Sequence, residues 1–342
     1  MLFVRQRGGS VDANQYHLCA NLHVAECNWL VTVNPGLGAA AELCTSCSLT
    51  RSRPNDADTA ALPAFAAAEK AKRRLAVELI DLKLPIISRD DDPQYGLAFD
   101  LLSSQLETVV TGHHNGVITL NLAEGDDVHR EQLRIAMDEP YRTVLGDLRH
   151  EIGHHYFDRL IGASPHFLSR FGALFGDPDA DDQAALDRHY RYGAPPGWKK
   201  DDVSSYVTMH PAEDWAETFA HYLHTRDTPD TAAAFGFAAS GATFERRGWG
   251  AADSTHHRDV AATGVGAEHG EPLGGLPRPL PVLPAVVLEK MRLIRTVIDE
   301  MACDPATLAS VGAAVREHVT GEYLAQQREG DSSGRLEGAP IA

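Results

Sequence analysis

The chain has 342 residues and a formal net charge of −17, from 31 basic and 48 acidic side chains. That balance argues against a surface built for general nucleic-acid or anionic-membrane binding. The length allows one sizeable catalytic domain plus a small module, and no run of about 18 apolar residues marks a membrane-spanning helix. The start, Met1 to Ser10, has too short an apolar core for a signal peptide, so a cytoplasmic protein is expected.

Residues 1–15 carry no periodic pattern and are expected to be disordered. Residues 16–56 hold four of the five cysteines, Cys19, Cys27, Cys44 and Cys47. The pair Cys44-x2-Cys47 is a knuckle, a tight turn that aims two thiolates at one metal ion. Cys19 and Cys27 would complete a closed four-cysteine structural zinc site. A segment this small, with one tryptophan, could hardly fold without such a staple. Two disulfides, disfavoured in the cytoplasm, or unligated thiols are the alternatives. Cys303 stands apart and reads as a small buried apolar residue.

After a polar linker at Pro54 to Asp58, residues 60–82 read as an amphipathic helix. Gly116 to Leu122 alternates and is β-branched, as a strand should be. Val117, Thr119 and Asn121 are expected to line an edge strand that pairs with extended substrate by β-augmentation. An ordinary sheet strand is the alternative. Glu124 to Met137 reads as a polar helix. Asp138-Glu139-Pro140 then starts a longer helix, whose apolar stripe Val144, Leu145, Leu148, Ile152, Tyr156 and Leu160 runs to Ile161.

That helix carries Arg149-His150-Glu151-Ile152-Gly153-His154-His155. In His-Glu-x-x-His, two imidazoles four apart share one helix face and can bind a zinc ion. The glutamate, about 100° further round, can deprotonate the attacking water. Three fixed positions in a chain with 17 histidines can recur by accident, so context must decide. Gly153, a poor helix former, makes sense if something packs or binds close to the backbone there. A metzincin would continue with Gly and His three and six positions after His154. Phe157 and Leu160 stand there instead.

A gluzincin takes its third ligand, a glutamate, from a second helix. Pro211 opens a suitable one, with Glu213, Glu217 and His221 along one face and Trp215, Phe219, Tyr222 and Leu223 able to face the core. Glu213 is the preferred third ligand, with Glu217 orienting a ligand histidine. The reverse assignment stays open. Asp214 is a further supporting residue for the metal site. His221 and His224 read as supporting or surface residues. Between the two site helices, Phe175 to Asp182 forms an acidic turn before another short helix. It lacks the closing Glu of a calcium loop and reads as solvated. Residues 239–284, rich in Gly, Ala and Pro, read as a covering loop that includes His256-His257. Val286 to Met301 and Pro305 to Gln327 read as the last helices, and residues 328–342 as a disordered tail.

The Ser-Tyr-x6-Glu-x3-Glu arrangement from Ser205 and Tyr206 to Glu213 and Glu217 resembles the lethal-factor-type gluzincins. The resemblance implies that Glu213 binds zinc, Glu217 supports the site and the Tyr206 hydroxyl stabilises the oxyanion. His210 is the alternative donor. Over roughly residues 16 to 300 the chain also resembles a bacterial zinc-binding metallopeptidase family with an N-terminal zinc ribbon. The segments that carry this include Cys27 to Val31, Ala71 to Leu75, Thr111 to His113, Gly116 to Asn121, Glu139 to Thr143, Phe175 to Asp177 and His210 to His224. Members often carry a further paired-knuckle ribbon upstream, a pattern this sequence lacks.

The expected fold is therefore α+β and mainly helical: a small zinc ribbon at 16–56, then a zincin-like metallopeptidase domain with a small antiparallel sheet at 57–327. The expected function is peptide-bond hydrolysis at one catalytic zinc, held by His150, His154 and Glu213 with Glu151 as general base. The ribbon holds a second, structural zinc. A peptide or protein is the substrate, and the ribbon offers a surface for a protein partner. A catalytically silent binding or processing module and a non-peptide amidohydrolase are the alternatives.

Overall fold

The computed structural model describes residues 16–32, 42–105, 108–136, 142–234 and 283–303. The expected disordered ends at 1–15 and 328–342 lie outside these residues. So do the helix start at Asp138 to Pro140, the final helix from Pro305 and most of the covering loop, including His256 and His257. The side chain of Cys303 is likewise outside them. Among the described residues no helix is long and apolar enough to cross a membrane.

The fold is mainly helical with two small sheets. Strand β1 (Tyr16–Leu18) pairs antiparallel with β2 (Leu30–Thr32), and Cys19 and Cys27 lie between them. Cys44 and Cys47 follow, and β3 (Thr50–Ser52) leaves the cysteine cluster to join the main sheet. Helix α1 (Leu62–Asp81) buries Phe65, Ala68, Leu75 and Leu79 on one face, within the span that amphipathicity predicts.

The main sheet runs in the order β3-β4-β6-β5, with β4 at Ala98–Leu102, β5 at Gly112–His114 and β6 at Val117–Asn121. It is mixed rather than wholly antiparallel. β3 and β6 both lie parallel to β4, and only β5 runs antiparallel, to β6. The β5–β6 turn is Asn115-Gly116, with φ of 47° and 81°. Two successive left-handed residues define the tight hairpin turn for which Asn-Gly is suited.

This arrangement corrects the expectation for Val117, Thr119 and Asn121. Strand β6 is internal: β4 covers one edge and β5 the other, with Thr119 opposite Gly112. Beyond β5, the Asn121 N–H donates to Thr111 Oγ1 and its amide donates to the Val109 carbonyl. No row of backbone groups is left there for a substrate. The outer strand of the sheet on this side is β5.

Helix α2 (Asp127–Ala136) precedes α3 (Val144–Tyr156), which carries the His-Glu-x-x-His run. Residues 157–161 continue α3 as a π-helical turn. Helices α4 (Pro165–Leu174) and α5 (Asp182–Tyr192) are capped by Ser164 and Asp181. Helix α6 (Pro211–Ala234) packs along α3, and α7 (Ala285–Cys303) packs against α6 and α4. Leu148, Ile152 and Tyr156 of α3 are fully buried against Trp215 and Phe219 of α6 and the α1 face.

Arg149 of α3 ties that helix to α1 and α6. Its buried guanidinium reaches Glu78 of α1, and His224 and Asp227 of α6. The cysteine region is fastened as firmly. Arg73 of α1 donates to the carbonyls of Ala25 and Glu26, at 3.0 and 3.2 Å. Lys72 and Glu69 form a fully buried ion pair at 2.7 Å that also engages Thr50 of β3.

Candidate metal centres and active site

Two donor clusters stand out among the described residues: Cys19, Cys27, Cys44 and Cys47, and His150, His154 and Glu213. Within each, one potential ligand atom per residue lies within 4.8 Å of all the others.

The four cysteines are buried and free of disulfides. Cys27 Sγ and Cys44 Sγ are 3.7 Å apart. A tetrahedral ion with Zn–S bonds of ~2.3 Å separates its sulfurs by about 3.8 Å. The N–H groups of Cys44 and Cys47 donate to the sulfurs of Cys19 and Cys44, as a metal knuckle requires. Hydrogen bonding with Cys47 draws the Cys44 thiol down to about 5 against the effect of burial. Burial pushes Cys27 up to about 11. The donor set fits zinc.

The second cluster is built by two helices. Thr143 caps α3, accepting from the Gly146 N–H at 3.0 Å. The buried stripe then fixes the helix rotation, so that His150 and Glu151 border a cleft. On α6, burial of Trp215, Phe219 and Leu223 turns Glu213 and Glu217 towards α3. The helices approach closely at Gly153. A Cβ there would meet the Ala216 Cα at 2.9 Å. The Trp215 indole donates to the Gly153 carbonyl at 2.9 Å. Close backbone packing is therefore the reason for a glycine inside the motif.

His150 Nε2 lies 3.1 Å from a Glu213 carboxylate oxygen and 3.2 Å from His154 Nε2, and that oxygen is 3.6 Å from His154 Nε2. A tetrahedral zinc with bonds of ~2.0–2.1 Å would set its ligand atoms about 3.3 Å apart. Two imidazoles and a carboxylate are a donor set that binds zinc with a fourth position open. On the opposite side of the ring, His150 Nδ1 meets the Glu217 carboxylate at 3.0 Å, leaving Nε2 directed into the cluster. Glu213 thus reaches both imidazoles, while Glu217 holds the back of one.

Burial acts to lower the proton affinity of His150, but hydrogen bonds to Glu213 and Glu217 outweigh it and hold the ring well above its ordinary value. For Glu213, burial is likewise outweighed, by His150 and His154, and its carboxyl sits well below the usual range. Glu151 is buried beside the cleft. Desolvation raises its carboxyl, partly offset by His150 and His154.

The cleft encloses about 220 Å³ and is lined by His150, Glu151, Tyr206, Glu217 and His221. The Tyr206 ring centroid is 6.2 Å from that of His150. Thr111, Arg142, Thr143, Gly146, Asp147 and Ala220 complete the walls, none of them singled out individually from the sequence. Arg142 lies between Glu124 and Asp147, at 3.4 and 3.5 Å.

Two expected supporting residues are used elsewhere. Asp214 pairs with Lys290 of α7 and accepts from Thr218. Desolvation raises its carboxyl to about 6. His210 accepts the Ala212 N–H on Nδ1 and donates from Nε2 to the Ala180 carbonyl, so it serves the start of α6. With both ring nitrogens engaged in this way, His210 is not placed to donate to an oxyanion. His221 donates to the Glu217 carbonyl, and His224 accepts from Arg149.

His113, not singled out individually from the sequence, lies close to this cluster. It sits on β5 with its ring stacked on that of His154, at a centroid distance of 6.5 Å and an interplanar angle of 8°. Burial, with His154 and His114 nearby, lowers its pKa to about 3. The signal that could have found it is Asn115-Gly116. A hairpin there makes Gly112 to His114 the outer strand beside the motif helix.

Two helices that gather two imidazoles and a carboxylate, joined to a four-thiolate cluster, define the class as a zinc-binding protein with two distinct donor sets. Residues 61–297 match the family described as "Putative zinc-binding metallo-peptidase", and residues 4–58 match a zinc-ribbon domain. The chain belongs to this zinc-binding metallopeptidase family. It is similar to uncharacterized proteins of Mycobacterium bovis and of two strains of Mycobacterium tuberculosis. Each is 58% identical over 303 residues, which cover 86% of this chain and 85% of the relative. No solved structure matches the chain.

Proposed function

We propose that the protein is a zinc-dependent peptidase of the gluzincin type, acting on peptide or protein substrates. The observation that carries this reading is the convergence of His150, His154 and Glu213 on one point, with Glu151 beside it on the cleft wall. His150, His154 and Glu213 would hold the ion, and Glu217 orients His150 through its Nδ1–H. A zinc ion bound there would acidify water towards a pKa of ~7 and polarise the scissile carbonyl.

The side chains do the rest. Glu151, with its proton affinity raised by burial, takes the proton from the attacking water and passes it to the leaving amine. The Tyr206 hydroxyl donates to the carbonyl oxygen as negative charge develops. An extended substrate adds to the outer edge of β5 rather than to β6. The four cysteines hold a structural zinc.

The test is peptide-library cleavage by the wild type and by Glu151→Gln. The variant should keep its zinc and lose about 10²–10⁴-fold in rate. Cleavage by Glu151→Gln at the wild-type rate would remove Glu151 from the reaction.

A further inference from the structure

His113 is a buried imidazole with an unusual set of neighbours. Its side chain is 6% exposed. One face of the ring lies nearly parallel to His154, and the His155 ring meets it edge-on at a centroid distance of 5.8 Å. Its Nε2 accepts the Gly116 N–H at 3.1 Å, which requires the proton to be on Nδ1. That Nδ1 points towards the Asp158 carboxylate, 4.0 Å away. Asp158 stands one turn after His154 on the same helix.

The hairpin fixes this ring from the other side. Gly116 has φ of +81°, and a Cβ there would meet the carbonyl oxygens of Tyr95 and Gly96 at 2.4 and 2.6 Å. The turn that presents the N–H to His113 is therefore closely specified. Burying an imidazole costs solvation that an apolar side chain of similar size would not lose. Gly116 is itself buried, so its N–H needs the acceptor that His113 Nε2 supplies. Turn chemistry thus accounts for an acceptor at this position, and the near-parallel His154 ring gives the imidazole a second neighbour to serve.

We propose that His113 is a positioning residue of the metal centre: its ring, anchored by the Asn115-Gly116 turn, backs the His154 ring and holds Nε2 towards His150 and Glu213. The proposal rests on the reading of His150, His154 and Glu213 as zinc ligands. It adds that the outer strand of the sheet and the second ligand are coupled through one side chain.

The experiment compares His113→Phe with His113→Leu. Both fill the space with apolar atoms, but only phenylalanine keeps a flat ring against His154. Zinc affinity of the site is read by competition with a chromophoric chelator, with retention of the four-cysteine zinc as the internal control for folding. The ligand field is read from the absorption of cobalt substituted at the same site. His113→Phe should stay within a few-fold of the wild type. His113→Leu should weaken zinc binding about 10–100-fold and shift the cobalt spectrum. Equal zinc affinities and identical cobalt spectra for the Leu and Phe variants would overturn the role of His113 while leaving the zinc site standing. A wild-type chain that binds no zinc at His150, His154 and Glu213 would overturn both.

Discussion

Each imidazole and carboxylate at the centre is shaped by a neighbour that sequence spacing alone does not reveal. Glu213 and Glu217 are four residues apart on one helix face, so spacing leaves their roles interchangeable. The geometry separates them, because Glu213 reaches both imidazoles and Glu217 meets only the far nitrogen of His150. His210 and Asp214 stand beside Glu213 in sequence. Their partners, Ala180 and Lys290, come from distant segments, and that is why their tasks could not be read locally.

At the same scale, Arg159, at the end of the motif helix, bonds Asp92 at 2.9 Å with both groups buried. Burial raises the Asp92 carboxyl, but Arg159 and the N–H groups of Tyr95 and Gln94 outweigh it and the net shift is downward. A depressed folded-state pKa contributes stability above the ordinary carboxylate value of ~3.9, lost as pH falls through the folded value. Urea unfolding should therefore show a larger cost for Asp92→Asn at pH 7 than at pH 3. An equal cost at both would contradict the ion pair.

Among the elements, the α3–α6 contact is the part of the site that the sequence shows best. The stripe Leu148, Ile152 and Tyr156 and the aromatics of α6 name the buried faces, and helical periodicity then places His150, His154 and Glu213. Gly153 is the point of closest approach. Gly153→Ala should improve helix propensity by about 1 kcal/mol yet destabilise the protein by about 1–3 kcal/mol net, because its methyl group meets Ala216 backbone. Denaturant titration checks the sign, and a more stable variant would contradict the packing. The sheet was less legible. Strands of three residues, such as β3 and β5, are too short for a period to declare itself. Strand β6 was recognised, but its neighbours were not, so an internal strand was expected to be an edge. The π-helical turn after Tyr156 has no local signal at all.

Over the whole molecule, the ribbon and the helical region are joined by more than a linker. β3 pairs with β4, Arg73 grips the carbonyls of Ala25 and Glu26, and the Lys72–Glu69 pair is closed off from water. The cysteine spacing names the four residues that cluster there, whereas this attachment depends on which residues α1 turns towards them. Lys72→Met leaves Glu69 buried without its cation and should cost about 3–5 kcal/mol. Thermal unfolding of that variant should remain one transition. A separate early transition of the ribbon would show that it folds by itself. The central claim is that two helices build a zinc centre from His150, His154 and Glu213, apart from the four cysteines. Elemental analysis of zinc per chain, on the wild type and Glu213→Ala, tests it most directly. The two donor sets predict two zinc ions in the wild type and one in the variant. Two zinc ions retained by Glu213→Ala, or only one in the wild type, would contradict it.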